Sequence, residues 1–479
     1  IASYAWDFDG DGIFDDAAGV APFFSAAGLA GPTSVSVTVR VTDSEGAAHV
    51  DPATVYVFGA PVRLEGTAGC NTITVTPGSA VENIDHVVNI NGSLYTYSAL
   101  AVGEIHIDGL DGTDTIIIHG TDQNETAALQ PGSVDVAGQT YQVHAVNVEV
   151  FTVNGAAGND TVTMTGSDGS NRLFSYAGYN TLTDSTRLFQ HRVENFETVT
   201  VNVSGDGPNS AFLYDSSESD VLAVEPAFAE LKRADGSTVR TATGFQQVYA
   251  YATEGAADTA TLTGMPDAAN RFYGYADYSL FTESRRSFYF YVRGFDTVTA
   301  TSPGTGTAYG YLYDSPGIDA FTASTTSATM NRQDPWSDTI ASGFTRIYAY
   351  STGGGADTAE LTGSAAGGNT YRGYPAYSTL YDASQSFYHY VRGFRSVTAT
   401  GSASDTAGDR AYLYDSMVAD TFRGEGVSAL LEDTAQRTYR MEAVYFDLVY
   451  ARSSDDAETE DTVEIIGELA YNLIRWGTW

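Results

Sequence analysis

One cysteine, Cys70, and one lysine, Lys232, are all that the chain has of either residue. A lone thiol excludes any intramolecular disulfide, so stability must come from packing, with or without metal. Basic groups are scarce throughout. The 23 Lys and Arg face 60 Asp and Glu for a formal charge of −37, which excludes nucleic acid and anionic membrane surfaces as partners. No run of eighteen apolar residues occurs, so no membrane insertion is expected. Long Ala, Leu, Glu and Lys stretches at helical spacing are missing, so helices should be few. The signatures of familiar active sites are absent: there is no Gly-x-Ser-x-Gly, His-Glu-x-x-His or P-loop. The polygalacturonase combination of Asn-x-Asp with Gly-His-Gly and Arg-x-Lys is also lacking, and the seven histidines are scattered. A strongly negative chain with one lysine suits polyanionic substrates poorly. These absences point away from an enzyme.

What is abundant is aromatic and punctuated by glycine: 32 Tyr, 23 Phe and 49 Gly, with many Thr and Val. Short alternating segments such as 358–363 and 387–394, bounded by Gly, Asp, Asn and Ser, read as strands with one face buried. A phrase Gly-Phe-x-x-Val/Ile-x-Ala recurs at Phe196, Phe245, Phe295, Phe344, Phe394 and, more loosely, Phe446. Between its copies Leu-Tyr-Asp-Ser (213–216, 312–315, 413–416) alternates with Leu-Thr-Gly (262–264, 361–363), so adjacent units alternate in wording and the larger period is near one hundred residues. Fixed periods of this kind denote stacked units, none of which buries its apolar face alone. The expectation is an all-β chain: a parallel β-solenoid, read as a right-handed β-helix, of about eight units of ~50 residues over 61–460. Fifty extended residues would trace roughly 165 Å, too long for one coil, so each turn should carry a hairpin, with Asp235-Gly236 at one tip.

The first sixty residues differ. Tyr4-Ala5-Trp6-Asp7-Phe8-Asp9-Gly10-Asp11-Gly12, followed by Val35–Val41 and Thr42-Asp43-Ser44-Glu45-Gly46, resembles a PKD-type domain, a small immunoglobulin-like sandwich of secreted bacterial proteins. In that family the Tyr-x-Trp-Asp-Phe phrase lies well inside the domain. The resemblance therefore implies a partial sandwich over 1–60, a processed or incomplete start and an open sheet edge. Beyond it, Gly109–Thr115 and Gly155–Thr161 resemble, distantly, haemolysin-type calcium repeats. The repeat region is similar to large secreted proteins of planctomycete-like aquatic bacteria, which implies an extracellular or cell-surface location.

The sharpest chemical pattern is Asp7-x-Asp9-x-Asp11-Gly12-x-x-Asp15. Hard oxygens at alternate positions with a turn glycine match the first nine positions of an EF-hand-like Ca2+ loop, with Ile13 offering its backbone carbonyl. The twelfth position is Ala18 rather than glutamate, so Asp16 or a residue from elsewhere must complete the set. Asp114, Asp160, Asp258 and Asp357, each before a Thr and a strand, and Asp215, Asp314 and Asp415, each after Leu-Tyr, read as turn caps rather than ligands. Asp455 and Asp456 read as part of a solvated loop. Tyrosine rows (Tyr249 and Tyr251 repeated as Tyr348 and Tyr350, Tyr275 and Tyr278 as Tyr374 and Tyr377) should stack rung over rung, or form a contact surface for subunits or sugars. Sequons at Asn91, Asn124, Asn159 and Asn202 allow a glycoprotein. Residues 461–479, ending in an apolar tail, should cap the stack or dock into another subunit. Together these features suggest a non-enzymatic fibre subunit assembling head to tail with copies of itself; the alternative is a carbohydrate-binding adhesin whose aromatic rows hold glycans.

Overall fold

The computed structural model describes residues 1–479 except 206, 254, 256, 334–337, 404–407, 435, 455–460 and 478. After a small N-terminal antiparallel sheet of four strands the chain is a β-solenoid of about nine turns. Two compact units are distinguished: residues 1–207 with 238–240, and residues 208–237 with 241–479.

In the first unit, β1 (Ser3–Asp7) pairs with β2 (Ala17–Ala18) and with β3 (Thr33–Thr42), which pairs in turn with β4 (Ala48–Val57). Little of this sheet is covered. Val37 is its one fully buried aliphatic among the described residues, and most of β4 is exposed. The coils begin at Val62–Glu65, which pairs in parallel with Glu104–Asp108. They include the three-strand antiparallel meander Thr126–Gln130, Gly132–Ala137 and Gln142–Val148.

The second unit shows the repeat most clearly. The meander Asn270–Gly274, Tyr278–Glu283 and Tyr289–Arg293 lies in one sheet. The chain crosses to Thr297–Thr301 in the opposite sheet and returns to Tyr309–Tyr313. It then builds the next meander, Ala320–Ala323, Ser327–Asn331 and Asp338–Ser342, in the opposite sheet. Each repeated phenylalanine lies two residues before a single strand. Phe295 and Phe394 precede strands of one sheet (Thr297–Thr301, Ser396–Thr400), and Phe245, Phe344 and Phe446 precede strands of the other (Gln247–Tyr251, Arg346–Tyr350, Leu448–Arg452). The alternation of wording along the sequence is thus an alternation of which sheet receives the meander.

This corrects the expected geometry of the coil. Strands in parallel register are offset by about 38 residues, as in Val221↔Thr259, Thr259↔Thr297, Ala320↔Thr358 and Thr358↔Ser396, not by fifty. The pairing is also mixed rather than wholly parallel, because the middle strand of every meander runs antiparallel inside the sheet. The hairpin is not an excursion from the coil. Its three strands occupy three rungs, so the sequence phrase and the coil advance at different rates. The expected bend at Asp235-Gly236 joins Phe228–Arg233 to Val239–Thr243, with Gly236 at φ 75°.

Inward positions of both sheets are mostly apolar and closely matched, with Val298 and Ala300 in one sheet repeated by Ile347 and Ala349 in the other. The glycine before Phe295 and Phe344 has a geometric cause. Gly294 (φ +83°) and Gly343 (φ +72°) would each drive an added Cβ into the carbonyl oxygen of a neighbouring coil, Ala252 at 1.9 Å and Ser302 at 2.3 Å. At the C-terminal end, Thr462–Leu469 pairs with Asp420–Gly426 and Asn472–Trp476 with Leu448–Arg452, so this segment adds one more strand to each sheet.

Candidate functional site: an acidic loop, aspartate corners and two unlike faces

The N-terminal loop leaves β1 at Asp7, whose buried carboxylate accepts the amides of Gly10 (2.7 Å) and Gly12 (2.9 Å). Both glycines have positive φ, 77° and 85°, which bends the chain back over the carboxylate. Asp9 accepts from the amide of Asp11, and Asp11 from that of Ile13. Asp16 accepts from the amides of Phe8 and Asp9. The structure brings together Asp7, Asp9 and Asp16, with one carboxylate oxygen of each within 4.8 Å of the others. Asp11 and Asp15 are exposed outside that group, and the Ile13 side chain is exposed. Asp16, the residue the sequence offered in place of the absent glutamate, is the one that lies with Asp7 and Asp9. Three hard oxygens around a common point are the donor chemistry of Ca2+.

In the second unit the aspartates lie at one corner of the solenoid and bond across coils. Asp258 Oδ1 accepts the amide of Asp220 (2.7 Å), Asp357 Oδ1 that of Asp319 (2.7 Å), and Asp461 Oδ1 that of Asp420 (3.0 Å). Asp314 accepts from Thr352 and Gly353, and Asp415 from Ser454. These are caps, as the sequence suggested, but of the adjoining coil rather than of their own turn. In the first unit Asp114 and Asp160 do the same for Asn71 and Glu125. The result is a row of carboxylates close to one another, including the buried Asp314, Asp319 and Asp357, and buried Asp420 between half-buried Asp415 and Asp461. Burial pushes the Asp258 carboxyl up to about 6, with the charges of Asp215, Asp220 and Asp296 adding to it. Burial likewise raises Asp415 to about 7, reinforced by a hydrogen bond to Asp461 and by that group's charge. Such groups take up protons as pH falls below neutrality, well before an exposed carboxylate does. Asp455 and Asp456 lie outside the described residues.

The sequence signal for this row is the spacing of 38 between Asp220 and Asp258 and between Asp319 and Asp357, a coil offset that is visible only once the fold is known. A second pairing missed in the sequence has the same cause. His106 and His144 occupy facing register positions of the first unit with ring centroids 5.5 Å apart, His106 bonded to Glu104 (2.5 Å) and His144 to Asp135. They border an open groove of about 460 Å³.

The outer faces of the second unit differ sharply. One sheet carries stacked tyrosines. Tyr273, Tyr311 and Tyr348 stack at 4.9 and 5.1 Å with interplanar angles of 10° and 15°. Tyr275, Tyr313 and Tyr350 form a parallel row at 4.5 and 5.2 Å. Stacking occupies the ring faces, leaving edges and hydroxyls outward, and burial against neighbouring rings raises the Tyr311 and Tyr348 phenols above their ordinary range. Arginines lie between and beside them, including Arg271, Arg293, Arg392, Arg410 and Arg452. Among the described residues, no outward strand position of this sheet in the second unit holds a carboxylate.

The opposite sheet presents threonines in register, such as Thr259↔Thr297, Thr261↔Thr299 and Thr263↔Thr301. It also presents glutamates, among them Glu225, Glu360 and Glu464, and a single outward aromatic, Phe228, among the described residues. No protein-family model matches the chain, and no curated protein matches it.

Proposed function

We propose that this chain is a non-enzymatic, secreted or cell-surface structural protein, the repeating subunit of an extracellular fibre. The observation that carries the reading is that its surface chemistry is periodic. Tyrosine rows, threonine pairs and aspartate corners return with each pair of units, so what the surface offers grows with length instead of converging on one cleft. The strands Thr462–Leu469 and Asn472–Trp476 support it. Ile465, Ile466 and Trp476 are exposed there, and a strand edge that pairs with no other described strand is a template on which a further coil continues the sheets. Such an end-to-end contact does not close on itself, and it builds filaments.

Several finer readings belong to the same proposal. Residues 1–60 are a PKD-type sandwich, the coils are right-handed, and Asp7, Asp9 and Asp16 hold Ca2+ at the base of the N-terminal sheet. An adhesin would have to grip sugars through tyrosine edges and hydroxyls, because the ring faces are spent on one another. Electron microscopy of the native protein, with and without a calcium chelator, tests the proposal. Filaments with an axial repeat of one chain are expected, and their loss on chelation ties assembly to the acidic loop. Single particles in both conditions would sink the fibre.

A further inference from the structure

The two faces of the second unit are complementary to each other. The tyrosine face carries exposed Arg271, Arg392, Arg410 and Arg452, none of which makes an ion pair among the described residues. Unpaired cations on a face without strand carboxylates are notable in a chain of charge −37. The threonine face carries Glu225, Glu360 and Glu464, exposed and likewise unpaired among the described residues. We infer that the tyrosine face of one copy docks on the threonine face of a second copy, side by side.

Three arguments favour a second copy. The first is area. About a dozen strands spaced ~4.8 Å apart, each presenting ~15 Å of width, give a face of roughly 900 Å², about what one partner contributes to a stable interface. The second is sign. Pairing the tyrosine face with itself would set arginine against arginine with no carboxylate between, whereas the threonine face supplies carboxylates. The third is repeat length. Both faces belong to one solenoid and advance five strands per pair of units, ~24 Å, so the tyrosine rungs of one copy stay in step with the threonine rungs of the other along the contact. The contact is heterologous, so it adds copies laterally without closing. It deepens the fibre reading by naming what lies beside each filament, and it fails independently of that reading.

The test is a charge swap on the full chain. One variant carries Arg271→Glu, Arg392→Glu, Arg410→Glu and Arg452→Glu; the other carries Glu225→Arg, Glu360→Arg and Glu464→Arg. Circular dichroism confirms that each is folded, and Arg→Gln and Glu→Gln sets stand in for any reversed set that is not. Sedimentation velocity of the native chain at ~0.1 M salt should show lateral association that is lost at ~1 M salt. Each reversed variant alone should associate at least about tenfold more weakly. An equimolar mixture should recover association, because only mixed pairs present matched faces; with the neutral sets, each alone should weaken about tenfold and the mixture should recover pairs only, because the intact arginine face of one meets the intact glutamate face of the other while the two neutralised faces do not.

Three outcomes overturn the inference: a native chain that does not associate, undiminished association of the arginine variant, or folded reversed variants whose mixture stays apart. So does a native monomer that ignores its own copies but is held by an immobilised polyanionic polysaccharide through the same arginines. Micrographs of the arginine variant separate this contact from the end-to-end one. Single-file filaments that no longer bundle support it, and bundles that persist overturn it.

Discussion

The tyrosine sheet and the threonine sheet of the second unit are built from the same phrase, half a period apart, yet they share almost nothing on the outside. Inward, Val298 and Ala300 of one correspond to Ile347 and Ala349 of the other, all buried. Outward, one sheet shows Tyr348 and Tyr350 where the other shows Thr299 and Thr301. The corners diverge as well. First strands of meanders open on Asn270 and Asn369 in the tyrosine sheet, and on Asp220 and Asp420 in the threonine sheet. Packing constrains only positions that touch the core, because a one-residue slip would turn every side chain to the wrong face, while outward positions are free to specialise. The hundred-residue period therefore records which side of the solenoid a unit builds, not a different fold.

The hardest test of this equivalence is to remove the repeated phenylalanine on each side. Phe295 and Phe344 are both buried, one entering the threonine sheet and one the tyrosine sheet. Phe295→Ala and Phe344→Ala should each cost about 3–5 kcal/mol in urea unfolding, and by nearly equal amounts. A gap of more than about 1 kcal/mol would show that the two sheets are not equivalent inside. Gly294→Ala and Gly343→Ala probe the same relation through the backbone. Each should cost about 1–3 kcal/mol, since both residues have positive φ and abut a carbonyl of the neighbouring coil.

The corners are expected to differ, and pH shows how. Asp258, raised to about 6 in the fold, contributes stability that is full below its unfolded value near 3.8 and is lost as pH rises through 6. Asp258→Asn keeps the acceptor for the Asp220 amide and removes the charge. It should stabilise by about 2 kcal/mol at pH 8 and by almost nothing at pH 4. The reverse change in the other sheet, Asn270→Asp, removes the amide donor to Met265 O and Ser302 Oγ and places a charge in a fully buried position. It should cost about 2–4 kcal/mol at pH 8 and less in acid. Thermal unfolding of both variants between pH 4 and 8 decides; parallel pH profiles would show that the corners are alike.

Much of the inside was legible before the fold was known, because the phrase around Phe245, Phe295, Phe344 and Phe394 marks buried strand entries and alternation in segments such as 387–394 marks which residues face in. The coil was not. A meander lays strands such as Tyr278–Glu283 back beside their neighbours, so the phrase repeats every five strands while parallel partners lie about 38 residues apart. That offset is what brings Asp220 to Asp258, and His106 to His144. Local periodicity cannot reveal contacts whose spacing depends on the fold-back. In the acidic loop, the Asp7–Asp15 spacing identified the turn and two of the three convergent carboxylates. The third, Asp16, owes its place to the route of the chain back to β2 alongside β1.

The last comparison sets the sheets against each other by sign. His389 occupies, in its meander, the inward position held by Phe290 in the preceding tyrosine-sheet meander, and it is fully buried. Burial pushes its imidazole down to about 4, and neither ring nitrogen makes a hydrogen bond of good geometry. A depressed histidine contributes stability that is present above its unfolded value near 6.5 and is lost as pH falls through 4, the opposite of Asp258. His389→Phe therefore removes a penalty that grows in acid. It should stabilise by about 2 kcal/mol at pH 5 and by about 1 kcal/mol at pH 7, where only the unpaired nitrogens count. With Asp258→Asn flattening the alkaline limb and His389→Phe the acid limb, the double variant should show the broadest plateau of melting temperature. If His389→Phe instead flattened the alkaline side, or changed nothing at pH 5, the tyrosine sheet would not be the acid-sensitive half of the solenoid.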